Sequence, residues 1–351
     1  KVGTGVTIAT TSGVATFRAG RIDVGDSLYN TSIGQGAGDA VTTADSNVAI
    51  GYDALTDSTT GDDNVAVGYM ALTENTTGNN NTALGKYALR ENTTATGNVA
   101  IGKESLEKNN ANNNTAIGYQ SLEENTTGTL LASVGAYSLT ANTTGIRNTA
   151  IGYESMSANT TGSHNTAVGT YALATPTGAN SNTAVGYYAL KANTTGTQQV
   201  AIGTYTLDAN TTGGYNTAVG YSALGANTTG NNNTAVGHST LTVNTTGTAN
   251  VAIGLQALNQ NNASSNVAVG QNSLYLNTTG SSNVAVGHQA LEQNTTGANN
   301  VAIGVYSGPA AVISSDGGAN WTSVSTGLNS NYVNGIGFGN NIFITTISIK
   351  L

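Results

Sequence analysis

The stretch Asn182-Thr-Ala-Val-Gly186-Tyr-Tyr-Ala-Leu190-Lys-Ala-Asn193-Thr-Thr-Gly196-Thr-Gln198 decides the fold. It is one copy of a unit of about 17 residues that recurs from Asn30 to about Gly308. The glycine that ends its Thr-Ala-Val-Gly core returns 17 times, from Gly34 to Gly304. Self-similarity at a fixed short period means stacked coils, each too small to bury a core alone. The reading is an all-β, parallel β-roll or β-solenoid of about 17 coils.

Positions are counted from the core glycine, taken as zero. Position −1 is aliphatic throughout, from Ile33 to Ile303. Position −3 is Val or Thr except at Ala132, and −2 is Ala except at Ser32 and Ser133. Position +4 is Leu from Leu55 to Leu291, with Met156 the one exception. Alternation with a period of two makes −4 to 0 a strand. β-Branched side chains suit a packed pleated surface, so −3, −1 and +4 are expected to be the buried aliphatics. The Ala/Gly face would then lie open to water in one chain and be covered by another copy. A second short strand is expected at +3 and +4.

Asn occupies −4 in all units but two, where Leu131 and Gln199 stand. Stacked coils would pile these amides into a ladder, whereas a plain turn preference would also accept Asp or Gly. The Asn-Thr-Thr-Gly at +7 to +10 reads as the outer turn, with Gly78, Gly128, Gly145, Gly196 and Gly247 at positive φ. Each Asn-Thr-Thr, as at Asn75, Asn142 and Asn210, is also a glycosylation sequon. Two units are one residue short, before Gly118 and before Gly270. Both carry an altered turn, Asn109-Asn-Ala111 and Asn261-Asn-Ala263, so the deletion spares the strand.

Positions +1 and +2 hold most tyrosines, among them Tyr52, Tyr119 and Tyr187 at +1 and Tyr87, Tyr137 and Tyr205 at +2. Such a stripe either stacks on sugars or a partner, or packs beside the turns and shields strand edges.

Charged residues are 8% of the chain and the net charge is −8, which argues against a nucleic-acid partner. There is no Cys, and no apolar run reaches membrane-spanning length, so no membrane insertion is expected. His164, His238 and His288 lie on different coils without metal-ligand spacing, and no nucleophile, base and acid converge. The expectation is a protein that is not an enzyme, with no catalytic, cofactor-binding or metal site and no cofactor.

Three regions follow. Residues 1–29 form an N-terminal β segment that attaches to a neighbour or caps the roll, with strands at Val6-Thr-Ile-Ala-Thr10 and Gly13-Val-Ala-Thr-Phe17. The chain starts at Lys1 rather than Met, the mark of processing or of a longer parent. Residues 30–308 are the 17-residue-repeat roll. Residues 309–351 form a C-terminal β segment, a cap or tip, after the break at Pro309.

The core Asn-(Val/Thr)-Ala-(Val/Ile)-Gly resembles the head repeat of trimeric autotransporter adhesins, which implies a left-handed roll assembled as a homotrimer. The longer unit, with Tyr-x-Ala-Leu-x-x-Asn-Thr-Thr-Gly, is similar to repeats of bacteriophage tail-fibre and whisker-type proteins. Ser314, Asp316, Gly318 and Trp321 resemble the Asp-box of sialidase-type propellers, a hairpin stabiliser in that family. The resemblance implies a virion structural protein: a rigid trimeric rod for host attachment. Its partners would be its own copies, other virion structural proteins, and a glycan or protein of the host surface. A bacterial trimeric surface adhesin or extracellular filament subunit, located on the cell surface, is the alternative.

Overall fold

A computed structural model describes residues 28–305 and, beyond them, four short strands. Seventeen strands of three residues, from β1 (Thr31–Ile33) to β17 (Val301–Ile303), form one parallel sheet in which each pairs with the next in sequence. Thr183, Ala184 and Val185 face Val200, Ala201 and Ile202, and every coil repeats this register. The register survives both short coils: Val99 still faces Thr115, and Val251 faces Val267. The described residues contain no helix. The fold is therefore an all-β parallel solenoid, about 80 Å long at the usual strand spacing.

The two faces of the strand are inverted relative to the expectation. Alanine at −2 points inward and is fully buried, as at Ala66, Ala184 and Ala235. The larger aliphatics at −1 point outward: Ile151 is 41% and Ile202 40% exposed. Size decides this, not hydrophobicity. The interior is narrow, because the Ser105 hydroxyl at +3 donates to the Ala116 carbonyl on the strand of the next coil at 3.0 Å. Ser273 reaches Ala285 in the same way, also at 3.0 Å. Leucine at +4 already fills the gap between the walls, and only a methyl fits beside it. The Ala/Gly face is thus sealed within one chain, and association is not needed to keep it dry.

The expected second strand does not form. Residues +2 and +4 both take left-handed backbone angles, such as Tyr188 at φ 60° and Leu190 at φ 52°. That conformation costs a bulky residue about 1–2 kcal/mol. Burying a leucine side chain returns about 1.5–3 kcal/mol, and Leu190 is fully buried. The turned backbone also keeps its coil-to-coil hydrogen bonds: the Leu190 N–H donates to Thr206 O at 3.0 Å, and that of Tyr188 to Thr170 O at 3.2 Å.

The core glycine is required twice over. Gly186 has φ +132°, and a Cβ there would lie 2.5 Å from the Gly203 carbonyl oxygen. The turn glycines at +10 have a different reason from the one expected. Gly196 is not left-handed; a Cβ there would sit 2.3 Å from Gly213 O and 2.4 Å from Asn193 Oδ1.

Beyond the roll, β18 (Val312–Ile313) pairs antiparallel with β19 (Thr322–Ser323), on either side of the Asp-box-like sequence. Strand β20 (Gly337–Gly339) pairs antiparallel with β21 (Ile342–Ile344). The Asp-box-like residues and the N-terminal strands expected within 1–29 lie outside the described residues.

Candidate functional site

Two internal amide columns, an aromatic spine, a carboxylate cluster and an apolar stripe are the features from which a function could be built.

The −4 asparagines do form the expected ladder. The backbone N–H of Asn233 donates to Asn216 Oδ1 at 2.9 Å, and its Nδ2 donates to the same oxygen at 3.2 Å. The Nδ2 also reaches across the coil to Gly247 O at 2.9 Å. Each rung therefore ties coil to coil and wall to wall. The exceptions adapt: the Leu131 N–H still donates to Asn114 Oδ1, and Gln199 Nε2 spans to Asn193 Oδ1, each at 3.0 Å.

A second column, at +7, was missed in the sequence. Asn227 Nδ2 donates to Asn210 Oδ1 at 2.8 Å and to Gly230 O at 3.1 Å. The Asn-Thr-Thr-Gly sequence predicts a surface turn, yet Asn75, Asn142 and Asn210 are fully buried. The signal was present, since Asn at +7 is nearly as regular as Asn at −4. The finding bears on the sequons. An Nδ2 whose two hydrogens are engaged inside a closed coil has no place for a sugar.

The tyrosines build a spine on the outside. Tyr119, Tyr137, Tyr153, Tyr171, Tyr188, Tyr205, Tyr221 and His238 are linked, with neighbouring centroids 5.1 to 6.0 Å apart. Position sets geometry. Rings at the same position in adjacent coils stack, as Tyr171 on Tyr188 at 10°. Rings that alternate between +1 and +2 meet edge to face, as Tyr137 and Tyr153 at 88°. Either contact contributes about 0.5–1.5 kcal/mol. Lys191 Nζ lies 4.1 Å from the Tyr188 ring centroid, and Lys103 Nζ 5.1 Å from that of Tyr119. The Tyr153 phenol is pushed up to about 12, first by its hydrogen bond with Glu154 and then by burial. Each ring is covered in part by its neighbours, as the packing role expects, while Tyr119, Tyr153 and Tyr221 at +1 keep an exposed face.

The carboxylates of Glu104, Glu107 and Glu123 each bring an oxygen within 4.8 Å of the others. Arg90 pairs with Glu107 at 2.8 Å, and Lys103 with Glu104 at 3.1 Å. Burial pushes the Glu107 and Glu123 carboxyls up. With a guanidinium already seated on Glu107, the group is an ion-pair network, and a cation would have to compete with Arg90. His164 lies 3.3 Å from the Arg147 guanidinium, and His238 is stacked on Tyr221. The structure brings the histidines to no common site.

The remaining surface is the outward stripe of −3 and −1. It carries no charged residue from Thr31 to Ile303. Its −1 side chains are partly exposed in coil after coil, for example Leu84, Ile117 and Ile253. Together the stripe exposes on the order of 1,000 Å², the size of a specific protein interface.

No helix of the described residues is long and apolar enough to cross a membrane. No protein-family model matches the sequence, and no curated protein matches it either. What the chain shows by its own geometry is a parallel β-solenoid repeat protein, a filament-like structural unit compatible with self-association.

Proposed function

We propose that this chain is a fibre subunit of a bacteriophage particle, a tail fibre or whisker, in which three copies run side by side as a left-handed rod. The observation that carries the reading is the uncharged Val/Ile/Thr stripe, continuous along the 17-stranded sheet. A second copy has the same coil spacing, so it matches the stripe at every coil, where a partner of another period would match at few. The stripe therefore replaces the Ala/Gly face as the surface turned to the shared axis. The work of such a rod is reach and multivalent display, with avidity supplying the grip on a host surface. Residues 1–29 would attach or cap the rod at one end, and residues 309–351 would form its cap or tip.

Sedimentation of the purified chain tests the assembly. The expected mass is three times the 35.1 kDa of one chain. The double variant I151K/I202K places charges on the stripe and should sediment as a folded monomer with an unchanged circular dichroism spectrum. A wild-type chain that stays monomeric at high concentration would remove the trimer. Labelled micrographs test the location. A rod on a phage tail or capsid supports the reading, and a rod on a bacterial envelope moves it to a surface adhesin.

A further inference from the structure

The internal columns are not continuous, and their interruptions follow a pattern. In the +7 column each Nδ2 donates to the Oδ1 of the rung before it, as Asn142 does to Asn125 and Asn159 to Asn142. The column fails where the next rung cannot donate. Asn159 Oδ1 is buried without a partner, and the following rung is Pro176, which has no amide side chain. Asn92 Oδ1 and Asn244 Oδ1 are also buried without partners. Their following rungs are Asn109 and Asn261, in the two short coils. There the amide keeps the bond to its own turn, Asn109 Nδ2 to Ala111 O and Asn261 Nδ2 to Ala263 O, both at 2.8 Å, and the bond to the rung before is absent.

In the coil after each short one, Asn114 Nδ2 turns to Asn109 Oδ1 of the preceding coil, and Asn266 Nδ2 to Asn261 Oδ1, both at 3.2 Å, as Gln199 Nε2 does to Asn193 Oδ1. At the three junctions where the +7 column is cut, the −4 amide still donates down its own column: Asn98 to Asn81 and Asn165 to Asn148 at 3.2 Å, and Asn250 to Asn233 at 3.1 Å. One side-chain column is therefore cut at each of the three junctions, while the other is kept.

We propose that the rod is divided into cooperative blocks by three seams, all beyond the point where the asparagine column begins, at Asn75 after the partnerless Ser58. They lie where the coils of Gly102, Gly169 and Gly254 meet their predecessors, and the rod opens first at these seams. The strand register is unbroken across all three. The difference is in the interior, where a buried acceptor is left empty. A buried polar group without a partner is costly to keep, and opening a seam lets water reach it. A rod loaded along its axis would part at these joints, leaving blocks of intact coils between them. This holds within one chain and does not depend on association between copies.

Amide hydrogen exchange on the full chain tests the proposal. In the wild type, peptides covering the three seams should exchange about tenfold faster than those at the centres of the blocks, the effect of one net hydrogen bond. The variant P176N restores a donor to Asn159 and should slow exchange around residues 160–195 about tenfold. P176A supplies the N–H without the amide and should not. The converse variant, N227A, cuts the column inside a block and should create a new fast zone there. Protection that falls smoothly from the centre to the ends, with no step at the seams, would overturn the proposal. So would equal slowing in P176N and P176A, or an N227A chain with no new fast zone.

Discussion

The two asparagine columns use one residue type inside one coil, yet they are bound differently. At −4 the side-chain oxygen accepts from the backbone of the next coil, as Asn182 Oδ1 accepts from the Gln199 N–H at 3.1 Å. At +7 the link is from side chain to side chain, as Asn210 Nδ2 to Asn193 Oδ1 at 2.8 Å. A column anchored on backbone tolerates a change of side chain. At Leu131 the backbone bond to Asn114 survives, though leucine offers no oxygen to the coil after it. A column made of side chains alone fails at any rung that changes, and Ser58 shows it, with a buried hydroxyl that has no partner. Regular sequence at −4 is thus insurance for the strand start, and regular sequence at +7 is the whole of that bond.

The most severe way to break the comparison is to separate the coils, so that neither column has a neighbour. Gly186→Ala puts a Cβ against the Gly203 carbonyl in a left-handed backbone. It should cost about 3–5 kcal/mol, read as a fall in the denaturation midpoint. Next in size comes the direct contrast between columns. Asn182→Ala removes the acceptor of a backbone N–H and the donor to Gly196 O, and should cost about 2–3 kcal/mol. Asn210→Ala removes only side-chain-mediated bonds and should cost about 1–2 kcal/mol. Equal losses in urea titrations of the two variants would erase the distinction drawn here.

The smallest effect lies outside both columns. The Glu123 carboxyl is pushed above its ordinary 4.5, by burial first and then by Glu124. A raised folded value means the folded chain holds the proton more tightly. Stability from this group is therefore lost as pH rises from 4.5 through the raised value, and regained on acidification. Glu123→Gln should flatten that part of the profile and stabilise the chain near neutrality by about 0.5 kcal/mol or less, after solvent screening. A wild-type melting temperature whose slope across this window matches that of the variant would count against the assignment.

Coil count, the strand at −3 to −1, the amide ladder at −4 and the placing of both deletions in turns were legible in the sequence. Each rests on periodicity, which a stacked fold copies directly into space. The facing of the strand was not legible. Alternation distinguishes two sides but does not say which is enclosed, and Ile151 lost the interior to Ala150 because Ser155 and Met156 at +3 and +4 leave so little room. The backbone of Leu190 was hidden for a related reason. Leucine in a left-handed conformation is disfavoured locally and persists here only because the coils above and below hold it. The +7 column was hidden by a local habit: Asn-Thr-Thr-Gly is a good turn, and a good turn is ordinarily wet. The resemblance to adhesin and phage-fibre repeats agreed with the solenoid but carries origin and assembly no further than a proposal.

Because each coil hands its successor the same array of oxygens and N–H groups that it received, deleting one whole unit rejoins like with like. The rod's extent can therefore change in steps of about 4.8 Å with no alteration in cross-section. Recombination between near-identical gene segments would supply such steps, making overall length an easily inherited variable while the architecture of every coil stays fixed.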